Sequence, residues 1–422
     1  MPVDKNLFLY DLAVVAIFKN EGRYLQEWLD YHLLAGVEHF YLYNNDSTDD
    51  YKEILAPYVE AGLVTLIDWP GKFMQMLAYD DALRNYKFLC RYMAFIDLDE
   101  FIFPKTNQSI VEVIDEVFSR DEHAAALGIN QQIFGSNGQE TADFSRGVLE
   151  RFTRRAPSDW VIFNETEPNK GNIYIKSVVN PRLTDYFQGP HFAIFFVGFK
   201  EVNAHGKDTF HAGSYPVSAD KIVYNHYYIK SREEFSGRVN LGSAARTVNY
   251  KKTEWFDFYD RNEVFDDGIL KYRTARAENF SLESDAAKIR RVEKTLVDTL
   301  TERSPLDAPA DFFTGKLETF LTCRAVAELL GTKIGSRSAE EFALVWLYQT
   351  LTRATTITYA EVQLFIKALP KILSRPFPLT KKILQLTCDG LIPTFCEALK
   401  KNWQWHMRTE LLDLQNFLRL IK

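Results

Sequence analysis

The chain has 422 residues, long for one compact domain and short for three, so its length favours two. With 46% hydrophobic and 25% charged residues it has the composition of a globular protein, which excludes a disordered or fibrous one. Its formal charge of −7 argues against a whole-molecule electrostatic grip on nucleic acid, and no nucleic-acid partner is expected.

Residues 12–18 (LAVVAIF) form an apolar, β-branched run, the pattern of a strand buried on both faces. Residues 23–34 carry a helical period ended by Gly36, and residues 39–43 (HFYLY) read as a second strand. The polar cluster 44–50 offers Ser47, Thr48 or Asp49 as the cap of a helix running through Pro57. Residues 64–69 read as a strand, 74–89 as a helix and 92–97 (YMAFID) as a fourth strand. This alternation predicts a mostly parallel, Rossmann-like sheet whose ligands bind beyond the carboxyl ends of its strands.

From 124 to 224 the texture changes to short strands, Gly/Asn/Pro turns and aromatic clusters, read as a mixed continuation of the same domain. After about Ser284 helical periodicity dominates, at 285–300, 316–330, 339–351 and 359–368 and through Trp403, Trp405 and 412–420. The expected organisation is an α/β catalytic domain over 1–280 and an all-α C-terminal domain over 281–422. From Ala360 onward ten Lys and Arg stand against five Asp and Glu, about +5, which leaves about −12 for the residues before it. Basic helices carrying aromatic residues suit either peripheral contact with an anionic membrane surface or packing on another domain or a second copy.

Cys90, Cys323, Cys388 and Cys396 are scattered, with neither a C-x-x-C pair nor a disulfide ladder. No apolar run approaches the ~20 residues of a membrane span, and residues 1–10 lack a signal-peptide core. The expectation is a cytoplasmic protein, peripheral at most at the cytoplasmic face of the inner membrane.

Asp97-Leu98-Asp99-Glu100 falls at the carboxyl end of the fourth predicted strand. In an extended chain Asp97 and Asp99 point the same way, and two facing carboxylates need a cation or a shared proton. A hard divalent ion, Mg²⁺ or Mn²⁺, satisfies both and can clamp a diphosphate leaving group. A turn of solvated acids fits the tripeptide equally well.

Lys19-Asn20-Glu21, Tyr24-Leu25, Glu27-Trp28-Leu29, Tyr31-His32, the 43–49 segment YNNDSTD, Trp69-Pro70, Gln75, Ala78-Tyr79 and the 93–101 segment MAFIDLDEF occur in this order. Together they resemble the nucleotide-sugar domain of glycosyltransferase families 2 and 92. The 134–138 segment FGSNG, Glu150-Arg151-Phe152, Lys176-Ser177, His191, His226-Tyr227, Lys230-Ser231 and Glu233-Glu234-Phe235 resemble later motifs of family 92. The resemblance spans about residues 10–240.

It implies a GT-A fold that binds a UDP-sugar, with a divalent metal on its diphosphate. The segment 16–21, including Lys19, Asn20 and Glu21, and the 44–49 loop with Asn45 and Asp49 would hold the nucleoside. Gln75 and Tyr79 would line the donor site, and Lys230 would touch the diphosphate. Asp97, Asp99 and His226 are the expected metal ligands, Asp99 the surer acid and Asp97 facing ribose or metal. His191 is an alternative to His226. Asn45 stands where family 2 members often carry an Asp that reads uracil, and an amide can also make paired hydrogen bonds.

Both families resemble inverting enzymes, which need a base for the acceptor proton. The acids at hand are Glu150, Glu140 and Asp143, although Glu150-Arg151 also reads as a structural ion pair. His205 and His211 read as solvated, and His32 as a satisfied buried residue. The aromatic excess, 14% of the chain, is concentrated around the sugar-binding loops at Trp69, Phe134, Trp160, Phe192, Phe195, Phe196 and Tyr227, where core packing competes with sugar contact.

The expected activity is transfer of a hexose to a saccharide or glycolipid acceptor, in bacterial surface-polysaccharide synthesis. A metal-dependent phosphohydrolase and a non-catalytic glycan-binding or scaffold protein on the same fold are the alternatives.

Overall fold

The computed structural model describes residues 5–165, 167–196, 198–241, 254–272 and 285–301, with two short pieces at 333–334 and 337–338. The chain divides into two compact units, Tyr10–Glu283 and a second formed by Met1–Leu9 with Ser284–Lys422.

The first unit opens with β1 (Tyr10–Phe18), α1 (Gly22–Leu34), β2 (His39–Asn44), α2 (Tyr51–Glu60), β3 (Val64–Asp68), α3 (Gln75–Tyr86) and β4 (Cys90–Phe95). The two-residue period of β1 explains its continuous hydrophobicity. Leu12, Val14, Ala16 and Phe18 enter one core with Leu25, Trp28 and Leu29 of α1, while Ala13, Val15 and Ile17 enter another with Ala78, Tyr79 and Ala82 of α3. Strands β3, β2, β1 and β4 pair in parallel, in that order.

Two details depart from the sequence reading. Pro57 lies inside α2, which continues to Glu60. Ser47, Thr48 and Asp49 do not cap α2: its first residue follows Asp50, which makes no side-chain cap. Ser47 Oγ instead accepts the Asn20 N–H at 3.0 Å, Asp49 Oδ2 accepts the Gly22 N–H at 2.7 Å, and Asn20 Oδ1 accepts the Thr48 N–H at 2.7 Å. The 44–50 loop is thereby stapled to the turn after β1. A Cβ at Gly22 would lie 2.7 Å from Asp50 Oδ1, so the close approach favours glycine there.

The chain continues through β5 (Glu100–Pro104), α4 (Ile110–Arg120), β6 (Ala124–Ile133), α5 (Val148–Arg151), β7 (Arg154–Arg155), β8 (Val161–Asn164), β9 (Glu167–Gly171) and β10 (Ile175–Val179). After these come β11 (Thr184–Gly189), β12 (Phe192–Phe195), β13 (Lys200–Val202), β14 (Ile222–His226), α6 (Arg232–Leu241), α7 (Trp255–Tyr259) and β15 (Val264–Phe265). Among the described residues, β10, β6, β14 and β5 extend the sheet beyond β4, with β13 also on β6. The β4–β10, β10–β6 and β14–β5 pairs are antiparallel and β14–β6 is parallel, so the sheet is mixed. The texture read as short strands conceals β6, a ten-residue strand buried along its whole length. Outside the sheet, β8 pairs with β9, β11 with β12 and β7 with β15.

In the second unit, Arg291 of α8 (Asp285–Thr301) reaches the backbone carbonyls of Asn6 and Phe8, each at 3.3 Å. Two-residue strands β16 (Lys333–Ile334) and β17 (Arg337–Ser338) pair antiparallel. The helices expected at 316–330, 339–351 and 359–368, and the basic aromatic tail with Trp403 and Trp405, lie outside the described residues. Among the described residues no helix is long and apolar enough to cross a membrane.

Candidate functional site

Strand β4 ends at Phe95, two residues before the predicted strand end, and Asp97-Leu98-Asp99 turns into β5. The expectation that Asp97 and Asp99 point the same way from an extended chain is therefore corrected. The turn is closed by Glu100 N–H to the Asp97 carbonyl at 3.1 Å and by Asp97 N–H to Glu100 Oε2 at 2.9 Å. The two aspartates meet different partners.

Asp97 Oδ2 accepts from the Lys176 ammonium at 2.8 Å and its Oδ1 accepts from Gln75 Nε2 at 2.9 Å. Gln75 also donates to the Tyr79 hydroxyl at 3.1 Å, so these two buried side chains position Asp97. Lys176 lies 3.2 Å from Glu100 Oε2 as well. Burial works against the Lys176 ammonium, but Asp97 and Glu100 hold its pKa well above the usual lysine range. Burial alone would raise the Asp97 carboxyl; Lys176 outweighs it and holds the pKa below the ordinary value.

Asp99, Glu100 and His226 form a second group, each offering one ligand atom within 4.8 Å of the others. Register brings them together: His226 at the end of β14 stands directly opposite Glu100 at the start of β5. His226 Nε2 lies 3.5 Å from Asp99 Oδ2 and 3.8 Å from Glu100 Oε1. The Arg238 guanidinium of α6 bonds Asp99 and the Tyr228 carbonyl. Burial would raise the Asp99 carboxyl, yet Arg238 and His226 hold it well below its usual range. Burial pushes Glu100 well above its own, against the pull of Lys176.

The orientation of the His226 ring follows from its neighbours. Gln131 Nε2 donates to the Gly171 carbonyl at 2.6 Å, which turns Oε1 of the same amide toward His226 Nδ1 at 3.0 Å. A carbonyl oxygen can only accept, so Nδ1 carries a hydrogen, and Nε2 is the nitrogen that faces the two carboxylates. Glu100 Oε1 is fully buried and has no hydrogen-bond partner. Two carboxyl groups and an imidazole nitrogen converging on one point suit a divalent cation with oxygen and nitrogen ligands. Glu100, unassigned from sequence, replaces Asp97 in this set.

Beside Asp99 opens a cleft of about 440 Å³ lined by Asn20, Glu21, Tyr24, Asp49, Lys230 and Arg238. Lys230 is buried at a left-handed φ of 55°, with its ammonium 4.5 Å from the Tyr24 ring centre. Burial lowers its pKa, with Asp99 opposing. Ser231 caps α6: its Oγ accepts the Glu234 N–H at 3.3 Å, and Glu234 Oε2 accepts the Ser231 N–H at 3.1 Å.

Other expected residues stand apart. Lys19 is exposed and does not line the cleft. Asn45 is buried, and both its amide hydrogens go to the Trp69 and Gly71 carbonyls, at 2.9 and 2.8 Å. Glu140 is an exposed partner of Arg232 at 3.1 Å, and Asp143 accepts from the Ser145 hydroxyl at 2.6 Å. Asp143 lies between Ala142 and Phe144, which line the cleft rim. Arg151 forms its bidentate pair with Glu234, at 2.8 and 2.9 Å, rather than with Glu150.

Among the histidines, His32 is the satisfied buried residue that the sequence suggests. Its Nδ1 donates to the Trp28 carbonyl at 2.8 Å, its Nε2 accepts the Ile102 N–H at 3.3 Å, and burial lowers its pKa to about 3. His205 bonds Asp220 at 2.8 Å, and His211 is exposed. Phe134, Phe196 and Tyr227 are core residues. Sequence reasoning missed Glu100, Arg238 and Gln131 as site residues; only the acidic run 97–100 carried a signal for the first.

Residues 15–256, more than half of the chain, match glycosyltransferase family 92. A family 92 protein of Ricinus communis is 24% identical over 60% of this chain and 41% of its own length, and one of Oryza sativa is 26% identical over 62% and 44%. Galactan beta-1,4-galactosyltransferase GALS2 of Arabidopsis thaliana is 33% identical over 21% of this chain and 19% of its own. The chain thus spans less than half the length of these curated relatives. Among solved structures, S. aureus TarS is similar at 13% identity and a TM-score of 0.30, covering 76% of this chain and 83% of that one. On the match over residues 15–256, the chain belongs to glycosyltransferase family 92.

Proposed function

We propose that the chain is a GT-A-type, metal-dependent, inverting glycosyltransferase that moves a hexose from a UDP-sugar to a saccharide acceptor. The observation that carries this reading is the convergence of Asp99, Glu100 and His226 beside the cleft of a family 92 domain. These three residues would hold Mn²⁺ or Mg²⁺, whose chemistry there is neutralisation of the departing diphosphate. Lys230 and Arg238 add positive charge to the same wall, where an anionic leaving group gains most from fixed charges.

In the reaction the acceptor oxygen bonds to the anomeric carbon as the bond to the diphosphate oxygen breaks. UDP departs, and the acceptor proton passes to a carboxylate. Of the three acids expected from sequence, Asp143 is the first to test, because its neighbours line the cleft rim. The Arabidopsis relatives named galactan galactosyltransferases make UDP-galactose and β-1,4-galactan the first donor and acceptor to try. The relatives named here are plant proteins; a bacterial surface polysaccharide made at the inner membrane stays a second setting, favoured only by the sequence reading.

The test is UDP release from UDP-galactose with and without galactan oligosaccharides, in Mn²⁺ and after chelation. Turnover should fall by about 100-fold or more in Asp99→Ala and on metal removal. Equal turnover in all these conditions overturns the metal-dependent mechanism.

A further inference from the structure

From Lys176, which bonds Asp97 rather than the Asp99 held by Arg238, a row of aromatic rings extends. Tyr174 immediately precedes β10, and with a two-residue period it shares a face with Lys176, the residue bonded to Asp97. Tyr174 stacks on His191, with ring centres 5.5 Å apart and planes inclined by 28°. His191 Nδ1 lies 3.0 Å from the Ile175 carbonyl, so Nδ1 carries the hydrogen. Burial and then Lys176 lower its pKa to about 3, leaving a neutral imidazole with Nε2 as an acceptor.

Away from Asp97 the row continues across a strand-like pairing. Tyr174 pairs with Gly213, and the Phe210 ring occupies the space over that glycine, where a Cβ would lie 3.1 Å from a ring carbon. Tyr215, two residues on, meets Phe163 of β8 edge to face at 5.6 Å. Phe163, Tyr215 and Phe210 are 46%, 47% and 40% exposed. Core side chains do not stay half in water.

We infer that this row is the platform on which a neutral saccharide chain lies, its pyranose C–H faces against the rings and its reacting end toward Asp97 and His191. This inference rests on the transferase reading. Two observations select the occupant. The row is uncharged and made of rings, three of them with polar edges that can bond hydroxyls. It also ends at Lys176, which bridges Asp97 and Glu100, whereas the cleft with Lys230 and Arg238 lies against Asp99. A diphosphate in the charged cleft and a saccharide on the uncharged row would therefore reach the acidic turn at different aspartates, Asp99 and Asp97.

The experiment is native gel electrophoresis of the full chain through gels cast with β-1,4-galactan, xylan, glucomannan or dextran. At least one polysaccharide should retard the wild type. Phe163→Ala and Tyr215→Ala should each weaken that retardation about two- to tenfold, while Tyr215→Phe keeps it. Phe265→Ala, which removes a 60% exposed ring outside the row, should change nothing. The inference is overturned if no polysaccharide retards the wild type, or if a Phe163→Ala/Tyr215→Ala double variant is retarded equally. It is also overturned if size-exclusion chromatography shows a dimer that the double variant abolishes. Titration of the wild type with UDP separates the two readings: absent UDP binding defeats the transferase proposal, while the gels judge the platform on their own.

Discussion

The Gln131 amide oxygen lies 3.0 Å from Nδ1 of His226, and the opposite ring nitrogen thereby faces Asp99 and Glu100. In the proposed metal site, ligand orientation is set one residue behind the ligands. Gln131→Met, near in size but without the oxygen, should lower Mn²⁺ affinity about 10- to 100-fold, read by paramagnetic resonance of free Mn²⁺. An unchanged affinity would remove His226 from the ligand set.

The Arg151–Glu234 pair is almost wholly buried, and Glu234 also accepts from Tyr24 and Ser231, at 2.9 and 2.6 Å. Burial opposes ionisation of Glu234, but Arg151 and Ser231 outweigh it and hold its pKa at about 2. Arg151→Ala leaves that carboxylate buried without its counter-charge and should cost about 3–5 kcal/mol in urea unfolding. Glu150→Ala, which leaves the bidentate pair intact, should cost much less.

Glu201 of β13 is buried with Oε2 on the Thr209 hydroxyl at 3.0 Å and Oε1 without a partner. Burial raises its pKa from 4.5 to about 7. Because the folded value lies above the unfolded one, its contribution to stability is complete below pH 4.5 and lost as pH rises through 7. The loss amounts to roughly 3 kcal/mol by the linkage relation. Glu201→Gln should flatten that part of the pH profile; an identical slope in the variant would contradict the assignment.

Asn45 was expected to read the base, yet both its amide hydrogens hold the 69–71 turn. Asn45→Ala should therefore cost about 1–3 kcal/mol of stability from the two orphaned carbonyls. The ratio of UDP to CDP or GDP affinity, measured by calorimetry, should not change. A collapse of that ratio with unchanged stability would restore the base-reading role.

What the sequence made legible was local. The run 12–18 announces a doubly buried strand because every side chain is apolar, and the acids at 97–100 mark the end of the fourth strand. Strand β6 was hidden because Asn130, Gln131 and Gln132 look like loop residues. They are buried in a strand only because distant carbonyls satisfy them, at Asn172, Ile173 and Ser214 for Asn130, Gly171 for Gln131 and Ala156 for Gln132. Glu100 was passed over for Asp97 because Asp97 bonds Lys176, 79 residues away, while Glu100 stands opposite His226 of β14. Arg238 was invisible for the same reason: its partner Asp99 is 139 residues earlier.

The staple between the 44–50 loop and the turn after β1 also bears on binding kinetics. Asn20 and Asp49 line the cleft and at the same time bond each other's loops, so this wall holds its form before anything enters. Little ordering entropy is then lost there on association. Loosening it, as in Asp49→Ala, would slow capture of a nucleotide and make the chain wait for a rare shape of its own cleft.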